Sequence, residues 1–161
     1  MPADQLLRDL VQRIDALERA QRARVGAEVG GGVPAVTDTG SYTPTYQGGT
    51  TGGTTTYASQ FGYWARVGAI LLCYGVLDWT AATGTGEARI SLPFAARSDG
   101  TRRWAPSLRL AGVTYASSPP QGLLLGGASY FRLEYAISNA AANVIAVEAA
   151  GTVIWTIVYE V

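Results

Sequence analysis

Gly151-Thr152-Val153-Ile154-Trp155-Thr156-Ile157-Val158-Tyr159-Glu160-Val161 decides the fold. Its β-branched and aromatic residues fit a pleated, packed surface. Successive side chains of a strand point to opposite faces. Val153, Trp155, Ile157, Tyr159 and Val161 therefore share one face, and Thr152, Ile154, Thr156, Val158 and Glu160 the other. The first face is wholly apolar and the second half apolar. A strand apolar on both sides belongs at a sheet centre or a subunit interface, which makes Trp155 and Ile157 candidates for oligomerisation.

The same logic extends towards the N-terminus. Val144 to Ala149, a turn at Ala150-Gly151 and the strand above predict a hairpin. Phe131-Arg132-Leu133-Glu134-Tyr135-Ala136-Ile137 alternates, with Phe131, Leu133, Tyr135 and Ile137 on one face. Short strands are expected within Trp104–Tyr115 and Gly122–Leu125, parted by Ser117-Ser118-Pro119-Pro120, and Asp99-Gly100 marks a turn. Ala88 to Phe94 alternates again, after a turn over Ala82–Gly86. Ala69 to Trp79 is a long apolar strand whose imperfect alternation predicts burial on both faces. Many short strands with regular turns and no second long helix predict a mainly β chain. The expected head, residues 57–161, is a jelly-roll-like antiparallel β-sandwich.

Ahead of it, residues 29–56 are rich in Gly, Thr and Pro and read as a linker with an edge strand. Pro44 confines Ser41–Tyr46 to a sheet edge, because proline donates no ladder hydrogen bond. Residues 1–28 read as a coiled-coil helix. Leu7, Ile14 and Gln21 fall at heptad a, and Leu10 and Leu17 at d. Arg13 and Glu18 have the spacing of an interchain ion pair. About three heptads span roughly 30 Å and are marginal alone in water, so the head is expected to associate as well. The heptads leave the oligomer number open.

Composition limits the chemistry. The 161 residues hold 12 basic and 12 acidic side chains, one cysteine and no histidine. All 12 basic residues are arginine. Charged residues make up 15%, against about 25% in an ordinary soluble domain, which suggests surface covered by other chains. Balanced charge gives no field for nucleic acid. With no histidine and one cysteine, there is no Cys/His metal site and no histidine base, and Cys73 reads as a small buried hydrophobe. No cofactor is expected. No stretch is long enough for a membrane span, and the charged N-terminus does not read as a secretory signal.

Tyr42-Thr43-Pro44-Thr45, Gly48-Gly49-Thr50-Thr51, Gly62-Tyr63-Trp64-Ala65-Arg66-Val67-Gly68, Thr83-Gly84-Thr85-Gly86 and Ile90-Ser91-Leu92-Pro93-Phe94 follow in that order. This series, over about residues 40–96, resembles a module of tailed bacteriophages. It is found at the ends of tail-fibre and receptor-binding proteins and in other virion appendages. The resemblance implies a homotrimeric jelly roll on a short coiled coil, located in the virion. Long fibres carry a large N-terminal shaft, whereas about three heptads precede this head. The expectation is therefore a short tail-fibre or tail-tip protein in contact with other virion proteins and a host-surface glycan. A capsid decoration (cement) or head-fibre protein is the alternative, and a cellular β-sandwich binding module a second.

Catalysis is not expected: the head's carboxylates (Asp78, Glu87, Asp99, Glu134, Glu148, Glu160) show no paired arrangement, and Glu134 and Glu148 read as outward, solvated groups. The candidate ligand site is Asp99, Arg102, Arg103 and Trp104, which set donors, an acceptor and an aromatic plate in or beside one loop. The plain alternative is a solvated loop over a packed Trp104.

Overall fold

The computed structural model describes residues 36, 38–116, 118–136 and 141–161. The expected coiled coil, with Leu7, Leu10, Ile14, Leu17 and Gln21, lies outside them, as does Ile137. Residues 36–161 form one compact unit. Its elements are β1 (Asp38–Tyr42), β2 (Tyr46–Gly48), β3 (Thr55–Val67), β4 (Ile70–Ala82), β5 (Ala88–Ser91), β6 (Arg103–Trp104), β7 (Ser107–Ala111), β8 (Pro120–Leu125), β9 (Tyr130–Tyr135), β10 (Asn143–Val144) and β11 (Gly151–Glu160). The described residues contain no helix.

All pairing is antiparallel. One sheet runs β1-β3-β4-β11-β7, and the other β2-β5-β9-β8-β6, with β10 also on β9. Their apolar faces meet as a β-sandwich around one core. Three aromatic pairs cross it. Tyr46 stacks on Trp79 at 4.1 Å, Phe131 meets the Trp155 edge at 5.8 Å, and Trp104 meets Tyr159 at 6.4 Å. Such pairs add about 1 kcal/mol each beyond area burial. Gly75 makes room for one of them. A Cβ there would collide with the Trp155 ring and lie 2.9 Å from the Phe61 carbonyl oxygen. Gly68, at φ 60°, takes the left-handed conformation that closes the tight β3–β4 turn.

Three expectations change. Residues 38–56 belong to the sandwich: β1 and β2 are edge strands of different sheets, with Pro44 between them. The Gly/Thr run is bonded to residues 83–87, through Gly49 N to Glu87 O at 2.8 Å and Thr50 N to Thr85 O at 3.0 Å. It is no loose spacer.

The C-terminal hairpin does not form. Ile145 N donates to Leu133 O and Ile145 O accepts from Ala88 N, which ties that segment to the second sheet. The chain then crosses the end of the sandwich at Glu148. Its amide donates to the Tyr46 hydroxyl at 2.9 Å, and its carbonyl accepts from Trp79 Nε1 at 3.0 Å. β11 thus enters the first sheet between β4 and β7.

β4 is not buried on both sides. Leu71, Cys73, Gly75, Leu77 and Trp79 face the core, while Ile70, Leu72 and Tyr74 face outward.

Candidate functional site

The outward side of the first sheet is the most unusual surface of the molecule. Register sets its rows. Tyr63 lies beside Tyr74 and then Thr156; Ala65 beside Leu72 and Val158; Phe61 beside Val76 and Ile154; Val67 beside Ile70 and Glu160. Phe61, Tyr63, Ile70, Leu72, Tyr74, Ile154 and Val158 are all exposed. Tyr74 holds the patch together, with ring centroids 5.8 Å from Phe61 and 5.9 Å from Tyr63. On β4 and β11 charge is confined to the two ends of this face, at Asp78 and Glu160. A contiguous apolar patch of this kind is uncommon on the outside of a folded chain.

The second sheet's outer side has the opposite character. Arg89 lies directly across from Arg132, and carboxylates separate the two charges. Glu87 Oε1 is 2.5 Å from Arg89 Nη2, and Glu87 Oε2 is 3.7 Å from Arg132 Nη1. Glu134 Oε2 accepts from Arg132 Nε at 3.2 Å. The Arg89 guanidinium sits 4.3 Å over the Tyr130 ring. Glu134 is on the outer side as expected, yet it is only 8% exposed, flanked by Val144 and Gln121. Its solvated reading is therefore corrected: a buried carboxylate persists here because Arg132 neutralises it.

Trp155 and Ile157 are enclosed by their own chain, each 1% exposed. Their side chains fill the sandwich interior, so a partner would meet the alternate residues Ile154 and Val158 instead. This is the one-residue phase of a strand, which composition alone does not settle.

Two of the four loop candidates, Asp99 and Arg102, form a cluster with Glu160. Asp99 Oδ1 accepts from the Arg102 amide at 3.0 Å and the Thr101 amide at 3.3 Å. The Arg102 amide, foremost, holds the Asp99 carboxyl below the usual range, and the Arg102 guanidinium adds to this. That guanidinium contacts both Asp99 and Glu160, and Arg97 stands 3.5 Å from Glu160. Arg103 is exposed, whereas Trp104 is half-buried against Tyr159. Asp99, Arg102 and Trp104 thus each have a structural role that pins the loop to β11.

Cys73 is buried, with its sulfur 3.1 Å from the Tyr42 hydroxyl. Burial, foremost, pushes its thiol up to about 11. Among the described residues, no group of three or more Cys, Asp and Glu side chains could hold a metal ion, and no helix is long and apolar enough to cross a membrane. Searches against protein-family models, curated proteins and solved structures return no match to this chain.

Sequence reasoning passed over Phe61, Tyr63, Leu72 and Tyr74. The usable signal was the run Ile70–Tyr74, in which both alternate sets are apolar, as in β11.

Proposed function

We propose that the protein is a structural protein of a tailed-phage virion, a short tail-fibre or tail-tip protein that acts as a homotrimer. The observation that carries this reading is the apolar outer face of β3, β4 and β11, set against the charged outer face of the other sheet. One side of the sandwich suits contact with further copies and the other suits water. The heptad positions Leu7, Leu10, Ile14, Leu17 and Gln21 support the same conclusion independently. A coiled coil gathers copies of the head and raises their effective concentration, so modest contacts between sheet faces suffice. The phage-like series of residues 40–96 supports the virion, and the movement of successive elements between sheets suits a jelly-roll head. The protein works by shape and adhesion, not by catalysis, and its end loops are free to meet the host surface.

Light scattering of the whole chain at micromolar concentration tests the assembly. Three copies are expected, and a monomer overturns it. Gold labelling of virions tests the location: label on the tail is expected. Label confined to the capsid replaces the tail reading with a decoration or head-fibre protein.

A further inference from the structure

The sheet-crossing segment before β11 forms a second feature. Between it and the β7–β8 connection lies an open pocket of about 300 Å³. Thr114, Tyr115, Tyr135, Val144, Ile145 and Glu148 contribute to its lining. Among the described lining residues Glu148 is the only charged one. Its main chain is held by Tyr46 and Trp79, so its position is rigid. One carboxylate oxygen, Oε1, accepts from the Thr114 amide at 3.3 Å, which draws the β7–β8 connection over the pocket. The other, Oε2, has no hydrogen bond or ion pair among the described residues. Tyr115 is 42% exposed, and the Tyr135 hydroxyl accepts from Asn143 Nδ2 at 3.3 Å.

We propose that this pocket binds a quaternary ammonium group. A carboxylate anchored at its main chain, with one oxygen unpaired and no cation among the described lining residues, attracts positive charge and repels phosphates and carboxylates. Phenol rings attract a cation through their negative faces, most strongly where water is partly excluded. Ala116, Val144 and Ala146 provide an apolar wall for the carbon shell of such a group. The pocket is small, near the lower limit for ligand sites, which suits a head group and not a chain. The inference goes beyond the assembly proposed above and does not depend on it. The pocket lies at the Gly151 end of β11, away from the loop at Glu160.

The test compares choline with 3,3-dimethylbutan-1-ol, its neutral isostere, by calorimetry and NMR titration of the full chain. Choline is expected to bind at least about tenfold more tightly, and its binding to weaken as salt is raised. Glu148→Gln keeps the backbone bonds to Tyr46 and Trp79. It is expected to remove about tenfold of choline affinity and leave the alcohol unchanged. Tyr115→Ala, at an exposed position, is expected to weaken choline while circular dichroism stays native. Equal affinity for the two probes, absence of saturable choline binding, or choline binding indifferent to both substitutions overturns the proposal. Light scattering on the same samples reads the assembly separately.

Discussion

Leu72 and Val158 lie directly opposite each other on the apolar face and are 47% and 52% exposed in the single chain. The informative perturbation is Leu72→Glu together with Val158→Lys. Full burial of such side chains contributes about 2 kcal/mol each, so covering the exposed half of each contributes about 1 kcal/mol. Losing both removes about 2 kcal/mol per copy and about 6 kcal/mol per trimer, roughly four orders of magnitude in the association constant. Desolvating the new charges within an interface adds to that loss. The isolated fold is spared, because opposite charges directly across two strands contribute up to about 1 kcal/mol of their own. Light scattering at micromolar concentration should then shift from about three chain masses to the 16.9 kDa of one chain, with an unchanged circular dichroism spectrum. A double variant that keeps the wild-type mass refutes the reasoning, since the assembly would then rest on another surface.

Other consequences follow from the core and the charged face. Gly75→Ala forces a methyl group into the Trp155 ring and should cost about 3 kcal/mol, read as a lower urea midpoint with an unchanged slope. Arg132→Ala strands the Glu134 carboxylate. Since Arg132 is itself 31% exposed, solvent screening holds the loss to about 2 kcal/mol, and adding Glu134→Gln should recover part of it in the same urea assay. Burial raises Cys73 from 9.0 to about 11 and Tyr46 from 10.0 to about 12. Above pH 9 the unfolded chain releases protons that the folded chain retains. Stability is therefore complete below pH 9 and falls towards pH 12, by about 1.4 kcal/mol per pH unit for each ionised group. Cys73→Ala should flatten the first part of that decline in urea titrations at pH 9 and 11, and identical slopes with and without the thiol would contradict it.

The all-β class was legible because alternation in Ala88–Ser91, Tyr130–Tyr135 and Gly151–Glu160 is a local property. Partner choice was not. The expected Ala150-Gly151 turn is only a bend at residues 149–150 leading into β11, and Val144 pairs with Glu134 and Val153 with Leu77 and Leu110. Those choices depend on Glu148 being anchored by Tyr46 and Trp79, residues far away in sequence. The Gly/Thr run looked loose because its partners at 83–87 are themselves Gly- and Thr-rich, so neither side carries an apolar signature. For the candidate sites, grouping Asp99, Arg102, Arg103 and Trp104 was a local inference; Asp99 and Arg102 meet, whereas the Trp104 ring turns to Tyr159. That Arg102 is taken up by Glu160, 58 residues later, is a fact of tertiary structure. In β11 the apolar character of both faces was plain, but which set turns inward was decided by the sheet opposite.

The place of β11 between β4 and β7 also orders the birth of the molecule. Both neighbours leave the ribosome well before the strand that joins them. Until it arrives, β4 has an unpaired margin, Leu71, Leu77 and Trp79 lack half of their cover, and β7 has no companion in its sheet. Contacts so distant along the chain are slow to form. The nascent polypeptide therefore passes through a stage with a sticky, open-sided sheet, in which sister chains emerging nearby compete with its own β11 for the vacant slot.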